Sequence, residues 1–438
     1  MAFSFSAIRQ SKTVHTIAIF ATGNMVAMLL GVVGSLVQAR FVAPKDMGVF
    51  RTFAIVAGYL TFLHLGVFDG LHREIPVQLG RGNRAKAEQA ASACLMWITF
   101  ISFASGALFL VFALRAAFYG EWMQFWGWLA YLPFIVAIFY GGYLGTTFRT
   151  GHQFIAYSNA SVIQGIASTL VLPLMPILGY YGACLRTAVG SLTNLFFLHR
   201  WRPMRVRPRL DWPSFWEVIR IGLPLSGTGY IYTSLWASVE GTLMLEWFGL
   251  TVLGLYTVAI FVRSVVVLLA LNMNQVLIVK ICEQYGRTNR IEDCLRLILK
   301  PMAFAVLASI PLIIVGWLLL PWAIRLLIPK YVDAILMAQV MLLVLPLTFV
   351  QLIRSIFQAA GFWINCAISD IVSFLAFVGC SFLLYRMNFG ALSVVIGSIL
   401  GLFVSLLATC LLIWRLILRE RAGLTNLAED SRPEMCAT

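Results

Sequence analysis

The sequence predicts an all-α polytopic membrane protein with twelve transmembrane helices in two six-helix lobes related by a pseudo-twofold axis. Three observations carry this. Hydrophobic residues make up 61% of the 438 residues and charged ones only 11%, a composition of membrane-embedded chains. Charge-poor runs of the roughly 20 residues needed to cross a bilayer recur twelve times. Finally, a short motif repeats at a nearly constant shift of about 206 residues between the two halves.

The predicted helices cover residues 14–39, 47–68, 89–114, 122–147, 153–178, 181–199, 221–244, 250–278, 299–323, 334–357, 362–385 and 390–415. Residues 150–185 hold no charge and are too long for one span. Pro173, Pro176 and the turn Gly179-Tyr180-Tyr181-Gly182 divide them into two. The first apolar run, from Thr13, is too long for the core of a secretion signal and lacks a clear cleavage site.

Between the halves lies the most polar stretch, Leu198 to Leu223. It carries six arginines (Arg200, Arg202, Arg205, Arg207, Arg209 and Arg220) against Asp211 and Glu217, and three prolines interrupt its first part. The domain organisation that follows is a lobe over 1–199, a basic cytoplasmic strap over 200–220, a second lobe over 221–418 and a disordered tail over 419–438. With the N-terminus inside, 23 lysines and arginines fall on the cytoplasmic side and 7 outside, leaving only Arg186 and Arg263 within spans. That asymmetry predicts cytoplasmic N- and C-termini.

Gly80-Arg81-Gly82-Asn83-Arg84 recurs as Gly286-Arg287-Thr288-Asn289-Arg290, and Gly48-Val49-Phe50 as Gly254-Leu255-Tyr256. Later matches, such as Val189-Gly190-Ser191 with Ile396-Gly397-Ser398, keep nearly the same shift. An even number of helices per copy gives both copies the same orientation, so the symmetry axis runs along the membrane normal. Both glycine-arginine segments are expected to be turns at the head groups.

The net charge of +14 does not point to nucleic acid, because the basic residues sit between apolar segments. Anionic head groups or an anionic substrate fit better. The eight cysteines lack metal-type spacing, and most lie in apolar stretches, where cysteine behaves as a small hydrophobe. No nucleophile–base arrangement and no phosphate-loop pattern is present, so no enzyme, resident metal or cofactor is expected.

An arginine near the bilayer centre costs roughly 2.5–3.5 kcal/mol on insertion scales and therefore faces a cavity or a partner. Arg263, 13 residues into its span, is the deepest cation. It either lines a cavity as an anion contact or pairs with a buried carboxylate. Arg186, Arg354, Arg40 and Lys280 complete a candidate set of substrate-binding cations. Asn24, Gln164, Asn272, Asn274, Gln275 and Gln351 are candidates for a polar lumen, although such amides also bond between helices. Of the embedded acids, Asp370 and Glu240 are candidates for coupling a proton or sodium ion, or counter-ions to Arg263; Glu246 is expected in the loop beyond helix seven. His64, Asp69 and His72 lack a further ligand and give no convincing metal site.

Several segments resemble a known family. Gln38-Ala39-Arg40-Phe41-Val42-Ala43-Pro44-Lys45-Asp46-Met47-Gly48-Val49-Phe50 is similar to the A-R-x-L-x-P-x-x-x-G-x-F signature of polysaccharide exporters. Leu65-Gly66 with Gly70-Leu71 and Arg73, Pro329 to Ala334, and Phe357-Gln358-Ala359-Ala360-Gly361 resemble further segments of that family. The family is the polysaccharide-transport, Wzx-like flippase branch of the multidrug/oligosaccharidyl-lipid/polysaccharide (MOP) exporter superfamily. The resemblance implies a MATE-like, V-shaped transporter in a bacterial inner membrane. It would carry a polyprenyl-pyrophosphate-linked oligosaccharide, such as an O-antigen unit, to the outer leaflet by alternating access. Implied partners are that glycan, membrane lipids, and a polysaccharide polymerase with other assembly proteins. The competing expectation is a cation-coupled multidrug antiporter of the MATE type. Against it stands helix one, which offers Asn24 and no acid; for it stand Glu240 and Asp370. A membrane glycosyl-polymerase would carry a large outer catalytic loop, and every outer loop here is short.

Overall fold

The computed structural model describes residues 3–288 and 290–421. Among these every regular element is helical. Twelve long helices follow one another: α1 (Phe3–Phe41), α2 (44–80), α3 (Arg84–Phe118), α4 (Trp122–Thr150), α5 (Phe154–Leu178) and α6 (Tyr180–Trp201), then α7 (212–248), α8 (250–288), α9 (Ile291–Leu327), α10 (329–360), α11 (Trp363–Arg386) and α12 (Leu392–Arg421). The fold is the expected all-α, twelve-helix, two-lobe architecture. By length and composition alone, ten stretches can cross a membrane. The difference from twelve has two causes. Residues 231–267 count as one stretch although Gly249, at φ 80°, ends α7 and starts α8. In addition, α6 carries Arg186, Asn194, His199 and Arg200, which dilute its hydropathy.

The breaks follow local chemistry. Leu65 and Gly66 adopt positive φ and interrupt α2 after a 3₁₀ turn. Gly179 alone (φ 50°) makes the α5–α6 turn, and α6 already begins at Tyr180. Gly361 (φ 79°) separates α10 from α11, a role glycine fills without the Cβ penalty.

Two details differ from expectation. Gly82 has φ +75° and closes the turn between α2 and α3, but its repeat counterpart Thr288 stays helical as the last residue of α8. A β-branched residue resists positive φ, so the second copy keeps its helix where the first turns; Asn289 lies outside the described residues. Similarly, Glu246 lies within α7, which runs to Gly249. The strap is non-helical from Arg202 to Asp211 and becomes α7 at Trp212. The predicted tail beyond Arg421 lies outside the described residues.

The chain separates into two compact units, up to Tyr230 and from Ile231 onward. The boundary falls inside α7, at a π-helical turn, Ile231–Leu235. In the first unit an aromatic cluster joins α2, α3 and α4, with Trp128 set edge-on against Phe53 and Phe109 at centroid distances of 4.7 and 5.1 Å. The start of α7 presses on α2 through glycine. A Cβ at Gly222 would overlap the Gly66 carbonyl, and one at Gly70 the Val218 carbonyl. The strap is tied to α3, where the Ser92 hydroxyl donates to the Arg207 carbonyl and the Gln89 amide donates to Asp211.

In the second unit α11 and α12 pack closely through small residues. Ser369 hydrogen-bonds Thr409 at 2.9 Å, and Gly397 faces Ser381 while Gly401 faces Phe377. Small residues and hydroxyls of this kind let membrane helices approach where no hydrophobic driving force exists between them. An apolar core of α8, α9 and α10, including Ile281, Ile298, Ile356 and Phe357, completes the unit.

Candidate functional site

The polar chemistry of the second unit gathers around one face of α7. Tyr232, Trp236 and Glu240 are spaced four residues apart, which stacks them along one side of a helix. Glu240 is fully buried. Five hydrogen bonds converge on its carboxylate. Trp236 Nε1 donates at 2.8 Å, Ser398 Oγ of α12 at 2.5 Å and Tyr256 OH of α8 at 2.9 Å. Arg263 Nη1 donates to both oxygens at 2.7 Å. Tyr256 and Arg263 are seven residues apart on α8, two helical turns, and so share the face turned to Glu240. Trp236 also stacks on Phe377 of α11 at 4.7 Å, which fixes the indole that donates to Glu240.

A second ion pair lies at the other end of this face. Arg354 of α10 donates from Nη2 to Asp370 Oδ2 of α11 at 2.5 Å, and both residues are buried. The Arg354 guanidinium also sits over the Tyr232 ring, 4.8 Å from its centroid, a favourable cation–π geometry. Unlike Glu240, Asp370 is half satisfied: its buried Oδ1 has no hydrogen-bond partner, nor does Arg354 Nε. The series Asp370–Arg354–Tyr232–Trp236–Glu240–Arg263 therefore links a saturated carboxylate to an unsaturated one through adjacent side chains.

These contacts use up the cation that the cationic-cavity reading placed at its centre. Arg263 is held by Glu240, and Arg354 is held by Asp370. The remaining candidates are placed as follows. In the first unit Arg40 is exposed. Arg186 donates to Gln38 Oε1 at 2.9 Å and to the Gly31 carbonyl at 3.3 Å, packed onto Gly34, where any Cβ would meet its guanidinium. Lys280 of the second unit is exposed.

The amides mostly bond between helices. Gln164 of α5 accepts from Asn194 of α6 at 2.8 Å, Asn274 accepts from Ser355 at 2.6 Å, and Gln351 donates to the Leu402 carbonyl at 3.3 Å. Asn24 is half-buried, while the side chains of Asn272 and Gln275 lie outside the described residues. His64 Nδ1 accepts from the Gly66 amide at 3.0 Å, at the break in α2. Among the described residues no cluster of three metal-ligating side chains forms.

Tyr232 and Trp236 were not singled out from the sequence, and Tyr256 and Ser398 stood out only as members of the internal repeat. The four-residue spacing 232/236/240 was the available signal for the first two. For Tyr256 it was hairpin arithmetic: Glu240 lies nine residues before Gly249 and Tyr256 seven after, so both fall at a similar depth.

No family model and no curated protein sequence matches the chain. Solved structures do. An inward-facing multidrug resistance MATE family transporter of the MOP superfamily aligns with a TM-score of 0.77 and 16% identity, covering 94% of this chain and 99% of its own. A MATE transporter in complex with MaD3S aligns at 0.66 and 17%, covering 92% and 95%. A MOP superfamily transporter from Pyrococcus furiosus, whose reversed binding-pocket polarity suggests a different function for that protein, aligns at 0.65 and 17%, covering 92% and 96%.

These likenesses correct the expectation drawn from the polysaccharide-exporter motifs. The first two of these neighbours are MATE transporters rather than Wzx-like flippases, and the Arg263–Glu240 pair removes the cation on which the flippase reading rested. The superfamily fold named by that resemblance is retained: this chain carries the twelve-helix fold of MOP transporters.

Proposed function

We propose that the chain is a cation-coupled multidrug antiporter of the MATE type, which exchanges an organic cation for an inward-moving proton or sodium ion. We place it in a bacterial plasma membrane with both termini cytoplasmic, on the asymmetry of its lysines and arginines. The observation that carries the coupling reading is Asp370. A carboxylate with one oxygen on Arg354 and the other buried without a partner can accept a proton or a small cation on its unpartnered oxygen. Occupation there weakens the ion pair and leaves Arg354 its contact with Tyr232. Glu240, with every acceptor direction engaged, serves as the fixed anchor that holds Arg263 neutralised. Intramembrane acids are expensive to bury, and such residues mark ion and substrate pathways. The fold likeness to multidrug transporters supports the substrate class.

The test is uptake of a fluorescent organic cation into proteoliposomes under imposed proton or sodium gradients. Wild type is expected to respond to one of the two gradients. Asp370→Asn, checked for folding by size exclusion, is expected to lose that response. Transport that persists after both gradients are collapsed would overturn the coupled antiporter, and full coupling in Asp370→Asn would remove that residue from the mechanism.

A further inference from the structure

The basic strap does more than mark topology. Where it leaves α6 it folds against the first residues of α5 to form an open pocket of about 430 Å³, lined by Gln153, Asn159, Arg200, Trp201, Arg202 and Arg205. Three arginines thus share one concavity with Gln153, Asn159 and Trp201. None of the ion pairs among the described residues involves Arg200, Arg202 or Arg205. Arg202 Nη1 lies 3.3 Å from the nitrogens of the His199 ring. The pocket therefore concentrates positive charge with no carboxylate to balance it.

The surface beneath the pocket is apolar and uncovered. One turn from Arg200 on the same face of α6 lies Phe196, 63% exposed, and a further turn along lies Leu192, 56% exposed. On α5, Ile166 and Leu170 continue the face of Asn159 and are also exposed. The two helices are held side by side by the Asn194–Gln164 bond. Arg200 therefore heads a stripe of exposed apolar side chains, Phe196 and Leu192, that runs down α6.

The geometry points to a binding site for an anionic phospholipid of the cytoplasmic leaflet, with a head group of the phosphatidylglycerol type. Its phosphodiester sits among Arg200, Arg202 and Arg205, since arginine offers paired donors to phosphate oxygens. Gln153 and Asn159 reach the head-group hydroxyls, and Trp201 holds the interface level favoured by its amphipathic ring. The acyl chains follow Phe196 and Leu192 down the α6 face. Basic pockets between membrane helices are suited to such head groups. A free phosphate would use the same arginines but gain nothing from the apolar face, and that difference separates the two.

The experiment titrates the purified full chain in neutral detergent with phosphatidylglycerol, and separately with phosphatidylcholine of the same chains, and counts bound lipid by native mass spectrometry. Two triple variants are compared: Arg200→Ala/Arg202→Ala/Arg205→Ala, and the control Arg207→Ala/Arg209→Ala/Arg220→Ala, which removes the same charge elsewhere on or beside the strap. Wild type and the control are expected to prefer phosphatidylglycerol. At roughly fivefold in affinity per arginine near an anionic head group, the pocket variant should bind it about a hundredfold more weakly. Equal loss in both triple variants would reduce the effect to net charge and overturn the pocket. Absence of a preference in wild type would do the same, and so would full competition by millimolar inorganic phosphate, which would assign the site to a soluble anion. Because detergent presents lipid to every surface, the result does not depend on membrane orientation.

Discussion

The Arg263–Glu240 pair gives the sharpest test of the second unit. Replacing Arg263 with methionine leaves a fully buried carboxylate without its cation. Removing one partner of a buried pair costs about 3–5 kcal/mol, because the remaining charge stays desolvated. Here Trp236, Tyr256 and Ser398 still donate to Glu240. Hydrogen bonds to a charged group are each worth about 1.5–3 kcal/mol, so the loss should fall at the lower end, about 3 kcal/mol. Adding Glu240→Gln to Arg263→Met removes the stranded charge while keeping an acceptor for the three donors. The double variant should therefore recover to within about 1 kcal/mol of wild type, since neutral replacement of a buried pair is often tolerated. The assay is detergent-denaturation of the micelle-held protein, followed by tryptophan fluorescence, run as a full double-mutant cycle. Glu240→Gln alone leaves the Arg263 cation without its anion at a similar cost, so the expected coupling energy is about 5 kcal/mol, well above the roughly 0.6 kcal/mol typical of hydrogen bonds between membrane helices. Coupling at or below that lower figure would refute the argument that this pair neutralises Arg263 inside the unit.

Other consequences are separable. Trp236→Phe keeps the stacking on Phe377 but deletes the donor to Glu240, and it should lower stability by about 1.5–3 kcal/mol in the same assay. Gly222→Ala drives a methyl into the Gly66 carbonyl, where backbone cannot yield, and should cost about 1–3 kcal/mol by overpacking. Gly106→Ala, with open space around its Cβ position, should be neutral or slightly stabilising. At the strap, the Ser214 hydroxyl and Gln89 amide hold the Asp211 carboxyl below its ordinary value of 3.8. A depressed folded value means the anchoring is complete above pH 3.8 and is lost as pH falls through the lower, folded value. Hydrogen exchange at residues 212–216 should therefore accelerate only in that acid window, and Asp211→Asn should abolish the acid dependence.

Much of the fold was legible because it rests on hydropathy and punctuation. Twelve charge-poor runs became twelve helices, and glycines such as Gly179 and Gly249 mark their breaks. The limits of that legibility were local. Gly80–Arg84 and its repeat look alike as sequence, yet a single exchange, Gly82 for Thr288, makes one a turn and the other a helix end. A repeat reports shared ancestry of the helices, and only the φ that each residue tolerates decides the turn.

The site was harder to read, because an embedded arginine is defined by what it meets, and its spacing in the chain does not state that. Hairpin counting came close. Glu240 is nine residues before Gly249 and Arg263 fourteen after, a difference of five residues, or about 7.5 Å at 1.5 Å per residue. An arginine side chain spans that offset and leans toward the N-terminus of its helix, as side chains on helices do, which on α8 is back toward Gly249 and the level of Glu240. The same counting also reaches Arg354 and Asp370, seven residues before Gly361 and nine after it, although the 3₁₀ turn Gln351–Arg354 lengthens the rise on the α10 side. Motif resemblance failed for a related reason. Short patterns around Arg40 and Gly48 describe how helices enter and leave the membrane and carry no information on whether a cation such as Arg263 is free to meet a substrate. In this chain Glu240 has already claimed it.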